Sequence, residues 1–140
     1  MFKKFLKKKE KISDNNNILI AALLVHAAKI DNEYTDVEKK IIKQALISLN
    51  LAKLNEVDKL LKTAEEKEKE SNQIIEFTKE IKKHPIEFRL KIIEILWKIV
   101  YSDEKNDSFE SNLIRRVCGL LYLSDKYSGM IKVKLTNLKN

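Results

Sequence analysis

Two glycines and a single proline are the only strong helix breakers in this chain of 140 residues, and that scarcity decides the fold class. A β-sandwich or barrel needs turn residues every ~8 to 12 positions, which so few breakers cannot supply. Leu, Ile and Val are too plentiful for a disordered chain, and glycine is too rare for a collagenous one. The expectation is therefore all-α, a single compact domain of about seven helices, because roughly 100 to 150 residues build one core.

Hydrophobic spacing places the helices. Ile18, Ala21, Ala22, Val25 and Ala28 trace a broadly apolar helix over about 15 to 30, and that breadth predicts a central position. Thr35-Asp36-Val37-Glu38 is a capping box that opens a second helix to about Leu49, with Asn50 suited to a left-handed C-terminal residue. Between Asn55 and Lys83 two apolar groups, Val57 to Ala64 and Ile74 to Ile81, flank the run Glu65-Glu66-Lys67-Glu68-Lys69-Glu70. Its alternating charge predicts a solvated helix face or a junction. Pro85 suits the first turn of a helix carrying Phe88 and Trp97, both expected in the core. Asp107-Ser108-Phe109-Glu110 is a second cap, opening a helix to about Tyr122. Ser124 caps a last helix, which Gly129 is expected to interrupt.

Formal charge is +7, from 28 Lys and Arg against 21 Asp and Glu. Residues 1–12 hold six lysines and one glutamate, leaving 22 basic and 20 acidic residues for the rest. The chain thus divides into a basic arm, 1–12, and a nearly neutral helical domain, 13–140. If the arm is helical, Phe2, Phe5 and Leu6 share one face with Lys3, Lys4, Lys7, Lys8 and Lys9 around them. That pattern fits a peripheral contact with anionic lipid, although a solvated tail has the same composition. Nucleic acid is the poorer match, since only Arg89, Arg115 and Arg116 are arginine and neither a helix-turn-helix nor an aromatic platform is evident.

One cysteine, Cys118, excludes an internal disulfide or a cysteine zinc site, and its apolar surroundings predict a buried thiol in a reducing, cytoplasmic compartment. The apolar run Ile18 to Val25 is far short of the ~18 residues a membrane span needs. His26 reads as a core or boundary residue and His84 as a loop residue. With no phosphate loop and no serine or cysteine beside a base, nothing assembles a nucleophile and general base, and no enzymatic activity is expected.

The most informative feature is an internal repeat. Sliding the chain on itself by 72 residues, without gaps, puts Leu23-Leu24 on Ile95-Leu96, Asp31 on Asp103, Glu38 on Glu110, Ile41-Ile42 on Leu113-Ile114, and Leu49-Asn50-Leu51 on Leu121-Tyr122-Leu123. The copies cover about 19 to 61 and 91 to 133, and predict two helical hairpins packed about an approximate twofold axis. Each places an aspartate at the end of one helix and a glutamate in the first turn of the next.

On these residues, ALLVHAAKIDNEYTDVE from Ala22 to Glu38 and LWKIVYSDEKNDSFE from Leu96 to Glu110, with the two Leu-x-Leu ends, the chain resembles the TerB-like domains of the tellurite-resistance protein B group. The resemblance covers roughly 15 to 139. It implies a helical module linked to tellurite and stress responses near the bacterial inner membrane, with Asp31, Glu38, Asp103 and Glu110 matching the acids of a metal-binding surface. Asn32 and Glu104 stand where the family often has glycine.

Capping alone explains Glu38 and Glu110. Asp31 and Asp103, at helix C-termini, oppose the macrodipole and call for another partner. If the loops converge, the carboxylates need a cation or lysines between them, and oxygen ligands favour Ca²⁺ or Mg²⁺ over zinc. A divalent cation, a basic partner protein, a salt-bridged patch and independent caps all remain open. An EF-hand does not, because Asp36 and Ile42 occupy the positions of its glycine and its bidentate glutamate.

Overall fold

The computed structural model describes residues 2–30, 34–71, 73–102 and 108–139, with side chains for 16–30, 34–71, 73–102, 112–124, 126, 127 and 129–134. Seven α-helices follow in order among them: α1 Phe2–Lys29, α2 Asp36–Ser48, α3 Val57–Glu70, α4 Ile74–Ile81, α5 Ile86–Tyr101, α6 Ser108–Leu120 and α7 Asp125–Lys139.

The two most apolar helices sit at the centre. α1 packs against α2, α3, α4 and α5, and α5 against α1, α2, α6 and α7. From Ile20 to Ala28 every α1 side chain except His26 is buried, and α5 buries Ile92, Ile93, Ile95, Leu96, Trp97, Ile99 and Val100. Apolar breadth therefore translates into central position, since a helix with partners on several sides must be apolar on each. Cys118 is fully buried, and Phe88 is half-buried against the core.

The helix predicted from about residue 15 instead begins at Phe2, so the arm is the first half of the central helix. No glycine or proline interrupts residues 2 to 14, and an Asp-Asn-Asn-Asn stretch lowers helix propensity by only a few tenths of a kcal/mol per residue. Packing of the C-terminal half carries the helix through it.

Two further expectations need correction. α7 runs unbroken through Gly129, whose cost of about 1 kcal/mol is tolerable in a helix held by packing on α5 and α6. The charged run does not form the junction between α3 and α4; that break comes at 71–73. Nor is the run wholly solvated, because Glu68 is only 6% exposed.

Candidate functional site

The Thr35 capping box forms as its spacing predicts. The Thr35 backbone N–H donates to Glu38 Oε1 at 2.8 Å, and the Glu38 N–H donates to Thr35 Oγ1 at 3.2 Å. Glu38 is only 1% exposed, so the second helix starts on a buried carboxylate. The same Oε1 also accepts from the Thr35 hydroxyl at 3.0 Å.

Glu38 is one of three glutamates at this corner. Tyr34, just before the cap, has its pKa raised first by burial and then by the negative charges of Glu65, Glu38 and Glu68. Its hydroxyl oxygen is buried and makes no well-formed hydrogen bond, although Glu65 lies beside it. Lys39 answers part of the charge, with its ammonium 4.9 Å from the Tyr34 ring centroid and 3.9 Å from Glu65 Oε2.

Glu68 ties α3 to the end of α1. Lys29 Nζ donates to its Oε2 at 2.8 Å, and His26 Nδ1 lies 3.2 Å from its Oε1, where a carboxylate can only accept. Burial pushes the Glu68 pKa up, but the hydrogen bonds from Lys29 and His26 outweigh it and hold the group below the ordinary glutamate value. Lys29 also sits in the last turn of α1, where a cation offsets the helix dipole.

Sequence reasoning missed Glu68, yet a signal was present. Val57, Leu61, Ala64 and Glu68 recur at helical spacing and are the buried side chains of α3. Glu68 continues the apolar stripe of its helix, and its neighbours in the charge run do not.

The other expected site residues are placed less fully. Asp31, Asp103 and Asp107 lie outside the described residues. Glu110 falls in the first turn of α6 as predicted, and its side chain is outside the description, as are those of Phe2, Lys3, Lys4, Phe5, Leu6, Lys7, Lys8 and Lys9 in the first turns of α1. Among the described residues, no three His, Cys, Asp or Glu side chains come together as a metal site. Nor is any helix there long and apolar enough to cross a membrane.

Two turns, at the C-terminal ends of α2 and α6, relate the first half of the chain to the second. Asn50 and Tyr122, 72 residues apart, are the non-glycine residues with positive φ among the described residues, at 60° and 59°. Each closes a Schellman turn: Leu51 N–H donates to the Leu46 carbonyl, and Leu123 N–H to the Cys118 carbonyl, both at 2.9 Å. Each turn also accepts from a side chain: Asn17 Nδ2 donates to the Leu51 carbonyl at 3.0 Å, and Arg89 Nη1 to the Leu121 carbonyl at 2.7 Å, two residues before the position equivalent to Leu51. Asn17 and Arg89 are also 72 residues apart. The pairings α1–α2, α1–α3 and α2–α3 reappear as α5–α6, α5–α7 and α6–α7.

The two turns differ in strain. Asparagine tolerates the left-handed region, whereas tyrosine there is an uncommon choice. Tyr122 is 76% exposed, its ring about 5.1 Å from the Lys82 ammonium. Tyr122→Gly is expected to raise the unfolding free energy by about 0.5 to 1 kcal/mol, checked by urea denaturation, with Asn50→Gly changing it less.

Fold and site together define an all-α module with a capped entry to α2, left-handed turns after α2 and α6, and a buried acidic corner where α1, α2 and α3 meet. The description "Tellurite resistance protein TerB" matches residues 17–133, which is most of the chain, and the chain belongs to this tellurite-resistance-related family. Comparison with curated proteins and with solved structures gave no match.

Proposed function

We propose that the protein is a non-enzymatic TerB-family binding module that receives a cationic ligand on its duplicated acidic loops. Asp31 and Asp103, which stand outside the two capping-box signatures in the sequence, supply its carboxylates, and Glu38 and Glu110 close the two loops from the first turns of α2 and α6. The latched Schellman turns and the matching helix pairings support an approximate twofold arrangement of the halves, in which the two loops act on one ligand. A divalent cation, Ca²⁺ or Mg²⁺, suits an all-oxygen donor set; a lysine-rich segment of a partner protein is the alternative occupant.

The observation that carries this reading is the charge at the first corner. Glu38, Glu65 and Glu68 face Lys29 and Lys39 with His26, and Asp31 and Glu33 follow in the adjoining loop sequence. Three carboxylates are thus gathered with two lysines and a histidine at the edge of the first loop, and the loop sequence adds two more acids. Asp31→Asn with Asp103→Asn separates the loop acids from the structural ones. Ca²⁺, Mg²⁺, Mn²⁺ and Zn²⁺ are titrated while the melting temperature is followed. A saturating ion at 100 times its Kd is expected to stabilise the wild type by about 2.7 kcal/mol and the double variant far less. No ion-dependent shift in the wild type removes the metal and leaves the basic partner.

A second reading rests on α1 itself. The basic arm continues the core helix without a break from Phe2 to Lys29, so a membrane-peripheral adaptor would carry its anchor rigidly on its central element. Replacing Lys3, Lys4, Lys7, Lys8 and Lys9 by glutamine is expected to weaken binding to anionic vesicles strongly if the arm is an anchor, each lysine contributing about 1 kcal/mol.

A further inference from the structure

We propose that the outward face of α7 is a lipid-contacting surface that seats on an anionic bilayer, separately from the N-terminal arm. α7 docks through Ile131, which packs on the core, and through Lys132, whose ammonium lies 5.2 Å from the centroid of the Trp97 ring on α5. The opposite side of the helix has no partner among the described residues. There Met130 is 61% exposed, Val133 59% and Tyr127 41%.

These side chains form one stripe. With about 100° of rotation per residue, Tyr127, Val133, Lys126 and Lys134 all fall within about 60° of Met130. Both lysines are exposed. The position of Asp125 lies well round the helix, so the stripe carries three large apolar groups and two cations with no acid between them. The wider neighbourhood has the same sign, since residues 111–140 contain six basic residues and one acidic one, and Arg115 and Arg116 of α6 are exposed.

Charge and shape together select the occupant. A stripe with apolar side chains at its centre wastes that area on a phosphate backbone, and it is convex, so a protein partner would have to supply a matching groove. An anionic bilayer supplies headgroup charge for Lys126 and Lys134 and acyl volume for Met130 and Val133, while Tyr127 suits the boundary between them.

The test is co-sedimentation of the full chain with vesicles of phosphatidylcholine containing about 30% phosphatidylserine, against phosphatidylcholine alone. Lys126→Gln with Lys134→Gln is expected to weaken binding to the anionic vesicles about 30-fold, roughly five-fold for each lysine. Met130→Asp is expected to weaken it about 10-fold or more. Both variants change exposed positions, and their circular dichroism is expected to match the wild type. Combining them with the arm glutamine variants is expected to multiply the losses, because the two surfaces act independently. Wild-type affinity in both α7 variants overturns the proposal whatever the arm variants do, and so does failure of the full chain to pellet with the anionic vesicles.

Discussion

Replacing Glu68 by alanine is expected to lower the unfolding free energy by about 2 to 3 kcal/mol. The carboxylate is the bridge between α3 and the end of α1, and it accepts from Lys29 and His26 while only 6% exposed. Removing one partner of a fully buried pair costs about 3 to 5 kcal/mol. Here the loss is smaller, because the Lys29 side chain keeps 32% exposure and turns to water when its partner is gone. The sign of the pH dependence follows from the lowered Glu68 pKa. A carboxylate whose folded value lies below its unfolded one stabilises fully above the unfolded value, about 4.3, and loses that contribution as pH falls through the folded value. Urea denaturation of wild type and Glu68→Ala is therefore expected to differ most near neutrality and to converge in acid. An equal gap at pH 7 and pH 3 contradicts the ion pair.

Phe77→Ala is expected to cost more, about 3 to 5 kcal/mol, the range for truncating a buried aromatic side chain. Phe77 is fully buried on α4, a helix of eight residues too short to persist without packing. Its ring centroid lies 6.4 Å from that of His26 on α1, so the side chain backs the His26–Glu68 bridge as well as anchoring α4. The expected result by thermal or urea unfolding is the loss stated, together with earlier hydrogen exchange in α4 than in α5. A loss below about 1 kcal/mol would mean that the neighbours close the cavity.

Most of the helical architecture was legible because it depends on local chemistry. The capping box at Thr35 and Glu38 needs only those two residues and their own backbone, and Asn50 adopts its left-handed turn for an equally local reason. Central position was legible from apolar breadth in α1 and α5. Less local features were not. Glu68 reads as solvated because its neighbours Glu66, Lys69 and Glu70 are, and its burial depends on Lys29 and His26 approaching from a helix about forty residues away. The latches at Asn17 and Arg89 share only a donor group and reach carbonyls two positions apart in the repeat, so neither is legible from the sequence. Tyr122 takes a left-handed turn against its own preference because the Leu121 and Leu123 flanks are both buried. The basic arm reads as separate because composition changes at residue 12, and composition does not interrupt a helix.

Of the candidate site, the glutamate half was legible as capping, and the structure shows Glu38 in that role. The aspartates carry the proposed function, since both stand outside the two capping-box signatures, Thr35 to Glu38 and Asp107 to Glu110, in the sequence. Mn²⁺, a paramagnetic stand-in for the hard divalent cations, tests that claim most directly through amide NMR signals of the full chain titrated with substoichiometric ion. Signals of residues 30–38 and 102–110 are expected to broaden together at the same Mn²⁺ concentration, and Asp31→Asn with Asp103→Asn to abolish both effects. Broadening of one loop alone, or of neither, would contradict a single cationic ligand shared by the two halves.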